Sequence, residues 1–132
     1  MSTLLGFDYG THKIGVAVGQ RITGTATPLT TLGRVQGQPD WRGIGALIKE
    51  WQPEGFVVGL PTEMSGREAP LATRARRFAR QLEGRFHLPA HLADERLTSR
   101  TAWEHLGVRA AKDPTRVDAM AAKLILETWL ND

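Results

Sequence analysis

The feature that most constrains this chain is a change of hydrophobic period near residue 40. Before it, apolar and β-branched residues form short or alternating runs, which predicts strands over Leu4–Tyr9, Ile14–Val18 and Thr25–Leu32. After it, apolar residues recur at intervals of three and four, which predicts a helix from an N-cap at Asp40 through Trp51. Strands so close in sequence are expected to pair as an antiparallel meander.

The remaining segments continue to alternate between strands and helices. Apolar runs predict strands over Gly55–Leu60 and Leu88–Ala93, and helical spacing predicts helices over Leu71–Arg85, Ser99–Leu106 and Arg116–Leu130. The order βββ-α-β-α-β-α-α predicts an α/β fold with a mixed five-stranded sheet, in which helices flank a three-strand antiparallel meander and two parallel strands. Because Pro28 cannot donate a ladder hydrogen bond, we expect the third strand at a sheet edge.

Composition narrows the class of protein. The 132 residues predict one domain over residues 1–132, and 41% hydrophobic with 23% charged residues is typical of a globular chain. The absence of cysteine excludes disulfides and zinc–thiolate sites. No apolar run approaches the roughly 18 residues that a membrane span needs, and the N-terminal segment does not resemble a signal peptide. We therefore expect a cytoplasmic protein with no membrane partner.

Two predicted strands end in carboxylates. Asp8 follows an otherwise apolar run, where it either faces a crevice or caps the hairpin in an Asx-type turn. Asp94 and Glu95 follow the last predicted strand, at the carboxyl end where open α/β sheets usually bind ligands, although a solvated loop acid is the commoner case. Since side chains alternate along a strand, only one of these two acids is expected to reach a shared site.

A third carboxylate lies on the apolar stripe of the last predicted helix. At about 100° per residue, Asp118 shares that stripe with Ala122 and Ile125. A charge facing a core is costly unless it is paired, hydrogen-bonded or bound to a metal. A capping box from Thr115 to Asp118 is the structural alternative, but that box prefers Glu or Gln, and a helix beginning at Pro114 leaves Asp118 inside the helix. We therefore favour a functional Asp118.

These acids together predict a cation site. Three carboxylates that converge without a cation would repel one another, and a hard divalent cation such as Mg²⁺ or Mn²⁺ relieves that repulsion. Such ions suit phosphodiester hydrolysis, because they activate water and stabilise the leaving oxygen. Zinc has few candidate ligands in this sequence. His87 and His91 have the spacing of two zinc ligands on one helix, but they flank Pro89 in a predicted strand, where residues four apart are separated by roughly 13 Å.

Four segments resemble, in order, the motifs of the YqgF/RuvX family: FDYGTHKIGVAVGQ, VVGLPTEMSG, LADERLTSR and VDAMAAKLILE. The resemblance implies a ribonuclease H-like fold and a divalent-metal nuclease. The implied substrate is the 5′ end of pre-16S rRNA during bacterial ribosome biogenesis, or branched DNA if the protein is Holliday junction resolvase-like. It also implies that Asp8, Glu95 and Asp118 are the catalytic and metal-binding acids. One departure is Ser65, in a loop where the family often has an acid. Glu63 is the nearby alternative carboxylate, although a solvated loop acid is the commoner case.

Basic residues predict where nucleic acid binds. The chain has 17 Lys and Arg residues and 14 Asp and Glu residues. Without the three site acids, 11 acidic residues remain, and the rest of the chain has a net charge of +6. Arginines crowd the helix predicted after residue 70, and other basic residues flank the DER segment or precede the last helix. The candidates for phosphate contacts are Arg74, Arg76, Arg77, Arg80, Arg96, Arg100 and Lys112. A solvated helix face is the alternative for the five arginines of the helix, which also include Arg85.

Two functions remain open at the level of sequence. The leading hypothesis is a metal-dependent nuclease, monomeric or homodimeric, that acts on structured or precursor rRNA or on branched DNA. The alternative is a non-catalytic RNA-binding or ribosome-assembly module whose acids make structural hydrogen bonds. Retention of all three acids favours the nuclease, because a binding module gains nothing from carboxylates that face phosphate.

Overall fold

The structure, a computed structural model, describes residues 2–61, 70–94 and 114–132. Strands and helices in these ranges have the following bounds: β1 Thr3–Tyr9, β2 Ile14–Gln20, β3 Thr25–Leu32, β4 Arg34–Val35, β5 Gln38–Pro39, α1 Trp41–Trp51, β6 Gly55–Leu60, α2 Pro70–Phe86, β7 Ala90–Asp94 and α3 Pro114–Leu130. The predicted helix over Ser99–Leu106 lies outside the described residues. No helix in the described ranges is long and apolar enough to cross a membrane.

The main sheet has the predicted composition. Its strand order is β3-β2-β1-β6-β7, with β3, β2 and β1 antiparallel and with β6 and β7 parallel to β1. The prediction of a mixed five-stranded sheet is therefore confirmed. Strand β3 lies at the edge, as Pro28 requires, and the register shifts between Val16 and Ala17, where Pro28 pairs.

Local signals set the ends of α1 and of a small second sheet. The Asp40 carboxylate accepts a hydrogen bond from the Gly43 amide at 2.9 Å, which confirms the predicted N-cap. Strands β4 and β5 form a two-stranded ribbon that the sequence did not predict. Its turn is Gln36–Gly37, with φ of 52° and 75°, the backbone signature of a tight two-residue hairpin.

The two faces of the main sheet carry different cores. Alternate residues of β1 point to opposite sides. Leu5, Phe7 and Tyr9 pack with residues of α1 and α2 in an aromatic-rich core. Leu4 packs instead on the other face, in a cluster with Ala122 and Leu126 of α3. By the same alternation, Asp8 is on the α3 face.

Small residues allow α3 to lie very close to the sheet. A Cβ added at Gly6 would lie 2.8 Å from the Leu126 Cβ, and one at Gly19 would lie 2.8 Å from a Leu126 methyl carbon. A Cβ at Gly15 would overlap the carbonyl oxygen of Asp118. Because these positions bear no side chain, the helix backbone itself contacts the sheet near its first turns.

Candidate active site

Two predicted site acids approach each other from β1 and α3. Asp8 pairs across the ladder with Gly15, so the two residues share one face of the sheet. The main chain of α3 passes directly over Gly15 at Asp118. The missing side chain at Gly15 therefore lets the helix bring Asp118 beside Asp8.

The start of α3 bears on the alternative role for Asp118. The helix begins at Pro114, two residues before the predicted start at Arg116. Thr115 therefore lies within the helix rather than at its N-cap, and Asp118 lies in the second turn. A capping box from Thr115 does not account for this carboxylate. Asp118 is instead a half-buried acid on the side of the helix that faces the sheet.

The two carboxylates are close enough for the charge of one to affect the pKa of the other. Burial raises the pKa of the Asp118 carboxyl above its ordinary value, and the negative charge of Asp8 raises the same pKa further. Lys13 opposes both effects and lowers that pKa. Mutual repulsion of this kind is what a bound cation relieves.

Lys13 is the residue of this site that sequence reasoning missed. It ends the four-residue turn between β1 and β2, and its carbonyl accepts a hydrogen bond from the Gly10 amide at 2.9 Å. The side chain is exposed, yet it is close enough to influence Asp118. The sequence could have indicated Lys13 by its position, because a tight hairpin after Asp8 returns the next residues to the same end of the sheet.

The sheet register separates Asp94 from these two acids. Asp94 pairs with Leu60 of β6, and the Leu60 side chain belongs to the aromatic-rich core on the opposite face. Asp94 therefore does not face Asp8. Glu95, the next residue, lies outside the described residues, as do Arg96, Arg100, Lys112, Glu63 and Ser65.

The donor set suits a hard cation better than zinc. Within the described ranges, no group of three His, Cys, Asp or Glu side chains could hold a metal ion. A carboxylate pair is nevertheless enough for Mg²⁺, which is usually held by one or two carboxylates together with water and phosphate oxygens. The two histidines do not offer zinc an alternative site: His91 stacks on Trp129 with ring centroids 4.7 Å apart, and His87 is exposed after the end of α2.

Comparison with known proteins identifies the family. A family model described as "RuvX: Holliday junction resolvase" matches residues 2–132. The chain belongs to the RuvX family. A relative from Azotobacter vinelandii named "Putative pre-16S rRNA nuclease" is 52% identical over 130 residues, covering 96% of this chain and 92% of its own. A relative of the same name from Enterobacter sp. (strain 638) is 52% identical over 131 residues, covering 96% of this chain and 94% of its own.

Solved structures confirm the fold of this RuvX-family chain. RuvC of T. thermophilus, in complex with a Holliday junction substrate, aligns with a TM-score of 0.56 and 13% identity over 99% of this chain and 94% of that one. The Fowlpox virus resolvase, in complex with Holliday junction DNA, aligns with a TM-score of 0.59 and 7% identity over 98% and 97%. The predicted ribonuclease H-like fold is therefore confirmed.

The arginines of α2 do not form one uniform surface. Arg74, Arg77 and Arg80 are exposed, whereas Arg76 is half-buried. Arg74 and Arg77 line a cleft beside Tyr9. Because Tyr9 and Asp8 point to opposite faces, that cleft lies across the sheet from the two carboxylates.

Proposed function

We propose that this protein is a divalent-metal-dependent nuclease that hydrolyses phosphodiester bonds in precursor 16S rRNA, at its 5′ end, in the cytoplasm. The observation that carries the proposal is the pair formed by Asp8 and Asp118, in which burial and like charge raise the pKa of Asp118. The family and the names of the 52% identical relatives support this chemistry and this substrate.

In this proposal Mg²⁺ or Mn²⁺ is held by Asp8, Glu95 and Asp118. Asp94 is left out of the set because it is on the face of the aromatic-rich core. Glu95 is the acid of the DER segment that the family resemblance implies. When bound, the cation would supply activation of a water molecule and stabilisation of the charge on the leaving oxygen.

The chain's own residues position and balance the charges of the site. The close approach of α3 over Gly15 holds Asp118 in place, so the carboxylate does not need to reorganise when substrate binds. Lys13 is an exposed cation next to the acid pair, and we assign it to a phosphate oxygen of the bound strand. The proposed further contacts to nucleic acid are Arg74, Arg76, Arg77, Arg80, Arg96, Arg100 and Lys112.

Branched DNA is the second candidate substrate. The observation that favours it is the fold, since both structural neighbours described above are in complex with Holliday junctions. A four-way junction has two equivalent strands to cleave, which would suit a homodimer, whereas a monomer suffices for trimming an rRNA end.

The test compares both substrates directly. Labelled precursor rRNA and a labelled four-way junction are incubated with the protein in Mg²⁺, in Mn²⁺ or in chelator. We expect metal-dependent cleavage of the rRNA precursor, lost in Asp8→Asn. Asp40→Asn is the matched control, because it removes a carboxylate from the N-cap of α1 while Asn still caps the helix.

The outcomes separate the candidate functions. Preferred cleavage of the junction would assign branched DNA as the substrate. Binding of RNA without cleavage of either substrate in any metal would establish the non-catalytic module. Thermal unfolding gives an independent readout: a cation that binds only the folded state raises the midpoint with its concentration, in the wild type but not in Asp8→Asn.

A further inference from the structure

A basic cleft opens beside the end of β1, on the face of the sheet opposite Asp8. It has a volume of about 450 Å³ and is lined by Tyr9, His12, Arg34, Arg74, Arg77 and Gln81, among others. The other lining residues are uncharged, so three arginines line one cleft and no described carboxylate lines it. Such an excess of positive charge creates a potential that attracts anions.

Arg34 makes three contacts in this cleft. Its Nη2 donates to the Gly10 carbonyl at 2.7 Å, its Nε donates to the Thr11 carbonyl at 3.1 Å, and its guanidinium lies 4.8 Å from the centre of the Tyr9 ring. A guanidinium has five N–H donors, and these two bonds use two of them. A fixed, planar donor group of this kind is suited to binding phosphate.

The backbone that supports Arg34 is itself specialised. Arg34 belongs to β4, next to the tight turn at Gln36 and Gly37. A positive φ of 52° is uncommon for a residue other than glycine, and Gln36 adopts it. A two-residue hairpin turn requires such values, and the ribbon that this turn closes presents Arg34 to the cleft.

The arrangement favours a polymer of phosphates over a single small anion. Arg74 and Arg77 are exposed and three residues apart, so they are neighbours on the surface of α2. Arg80 extends the same row beyond the cleft, where it does not belong to the lining. A site for one small anion would not need this continuation, whereas a nucleic-acid backbone presents charges at regular intervals.

We propose that this arginine cleft, formed by Arg34, Arg74 and Arg77, binds the phosphate backbone of the nucleic acid to one side of the cleaved bond. The proposal rests on the proposed nuclease function, because it assigns the cleft to the same substrate. The segment Gly10–Thr11 links the two sites: it lies two residues after Asp8 in the chain, and its carbonyls accept hydrogen bonds from Arg34. A strand that crosses the β1–β2 turn would contact the carboxylates on one side and the arginine cleft on the other.

The test measures binding of a labelled single-stranded RNA in chelator, so that neither metal nor cleavage contributes. The double variant Arg74→Ala/Arg77→Ala removes two exposed cations from the cleft, and Ala is compatible with the helix. The matched control is Arg42→Ala/Lys49→Ala, which removes two exposed cations from α1, outside the cleft lining. Circular dichroism establishes that both variants fold.

We expect the cleft variant to bind RNA roughly tenfold more weakly or worse at about 0.1 M salt. The slope of log K against log salt should fall by about 1.4, since each phosphate contact on a single strand contributes about 0.7. The control should bind like the wild type. Equal weakening in both variants would overturn the proposal in favour of a general basic surface. Unchanged RNA binding, with loss of stabilisation by a nucleoside monophosphate in the cleft variant, would assign the cleft to a small ligand instead.

This result is separable from the nuclease proposal. If the cleft variant loses RNA binding and Asp8→Asn still cleaves, the assignment of the acids fails while the cleft stands. If Asp8→Asn is inactive and the cleft variant binds normally, the arginine cleft is overturned while the nuclease site stands.

Discussion

The two faces of the central sheet are built from opposite kinds of side chain. Towards α1 and α2 the sheet presents large aromatic groups: the Phe7 ring lies 5.9 Å from the Phe56 ring and 5.4 Å from the Phe78 ring, both edge to face. Towards α3 it presents Gly6 and Gly15, with alanine and leucine around them. Aromatic rings hold the α1 and α2 layer at a distance, whereas glycine lets the α3 backbone touch the strands.

The aromatic face mainly stabilises the fold, whereas the glycine face mainly positions Asp118. The aromatic face removes much more apolar area from water, and that area is the main source of folding free energy. The glycine face buries less, but it fixes the height of α3 above the sheet and therefore the position of Asp118 relative to Asp8. We expect damage to the first face to unfold the protein, and damage to the second to disable the site in a protein that still folds.

Truncation on the aromatic face should have the largest effect. Phe78 is fully buried and contacts Phe7, Tyr9 and Trp41. Phe78→Ala should lower the free energy of unfolding by about 3–5 kcal/mol, from lost burial and the cavity left behind. Urea titration measures this loss. Cleavage per folded molecule should be nearly unchanged at low temperature; a large fall in that quantity would mean that the two faces are not separable.

Charge removal on the glycine face should affect catalysis rather than stability. Asp118→Asn keeps the shape of the side chain and removes the negative charge from the proposed cation site. We expect folded protein that still binds nucleic acid but cleaves it roughly 100-fold more slowly or worse, equivalent to about 2.7 kcal/mol in the barrier. Single-turnover cleavage at saturating protein measures the rate. A well-folded Asp118→Asn protein that cleaves like the wild type would leave Asp118 with a purely structural role.

Added volume on the glycine face should displace α3. In Gly15→Ala the new Cβ must push the Asp118 backbone away, so we expect a loss of about 1–3 kcal/mol in the free energy of unfolding and a clear fall in cleavage. The matched control is Gly84→Ala in α2, where an added Cβ meets nothing within 4 Å and Ala should stabilise the helix by about 0.5–1 kcal/mol. Normal cleavage in Gly15→Ala would show that the height of α3 does not position Asp118.

The sequence predicted those parts of the molecule that depend on the spacing of apolar residues and on polar residues in apolar surroundings. The alternation around Ile14 predicted β2, Pro28 predicted the edge strand, and an acid on an apolar stripe singled out Asp118. The β4–β5 ribbon was missed because two-residue strands have no period to detect. The role of Gly15 was missed because the meaning of a small residue depends on the helix that packs over it, about 100 residues later in the chain.

The smallest expected effect is a pH dependence of stability without metal. Since the folded-state pKa of Asp118 is raised, the native carboxyl holds its proton more tightly than the unfolded one. Stability contributed by this group is therefore greatest below the unfolded pKa and is lost as pH rises through the folded pKa. Asp118→Asn removes that loss, so in chelator its unfolding midpoint should exceed that of the wild type at pH 7, and the difference should shrink towards pH 4. Thermal scans across this range measure it. A wild type more stable than Asp118→Asn at pH 7 in chelator would show that the charged carboxylate stabilises the fold, contrary to an acid pair that requires a cation.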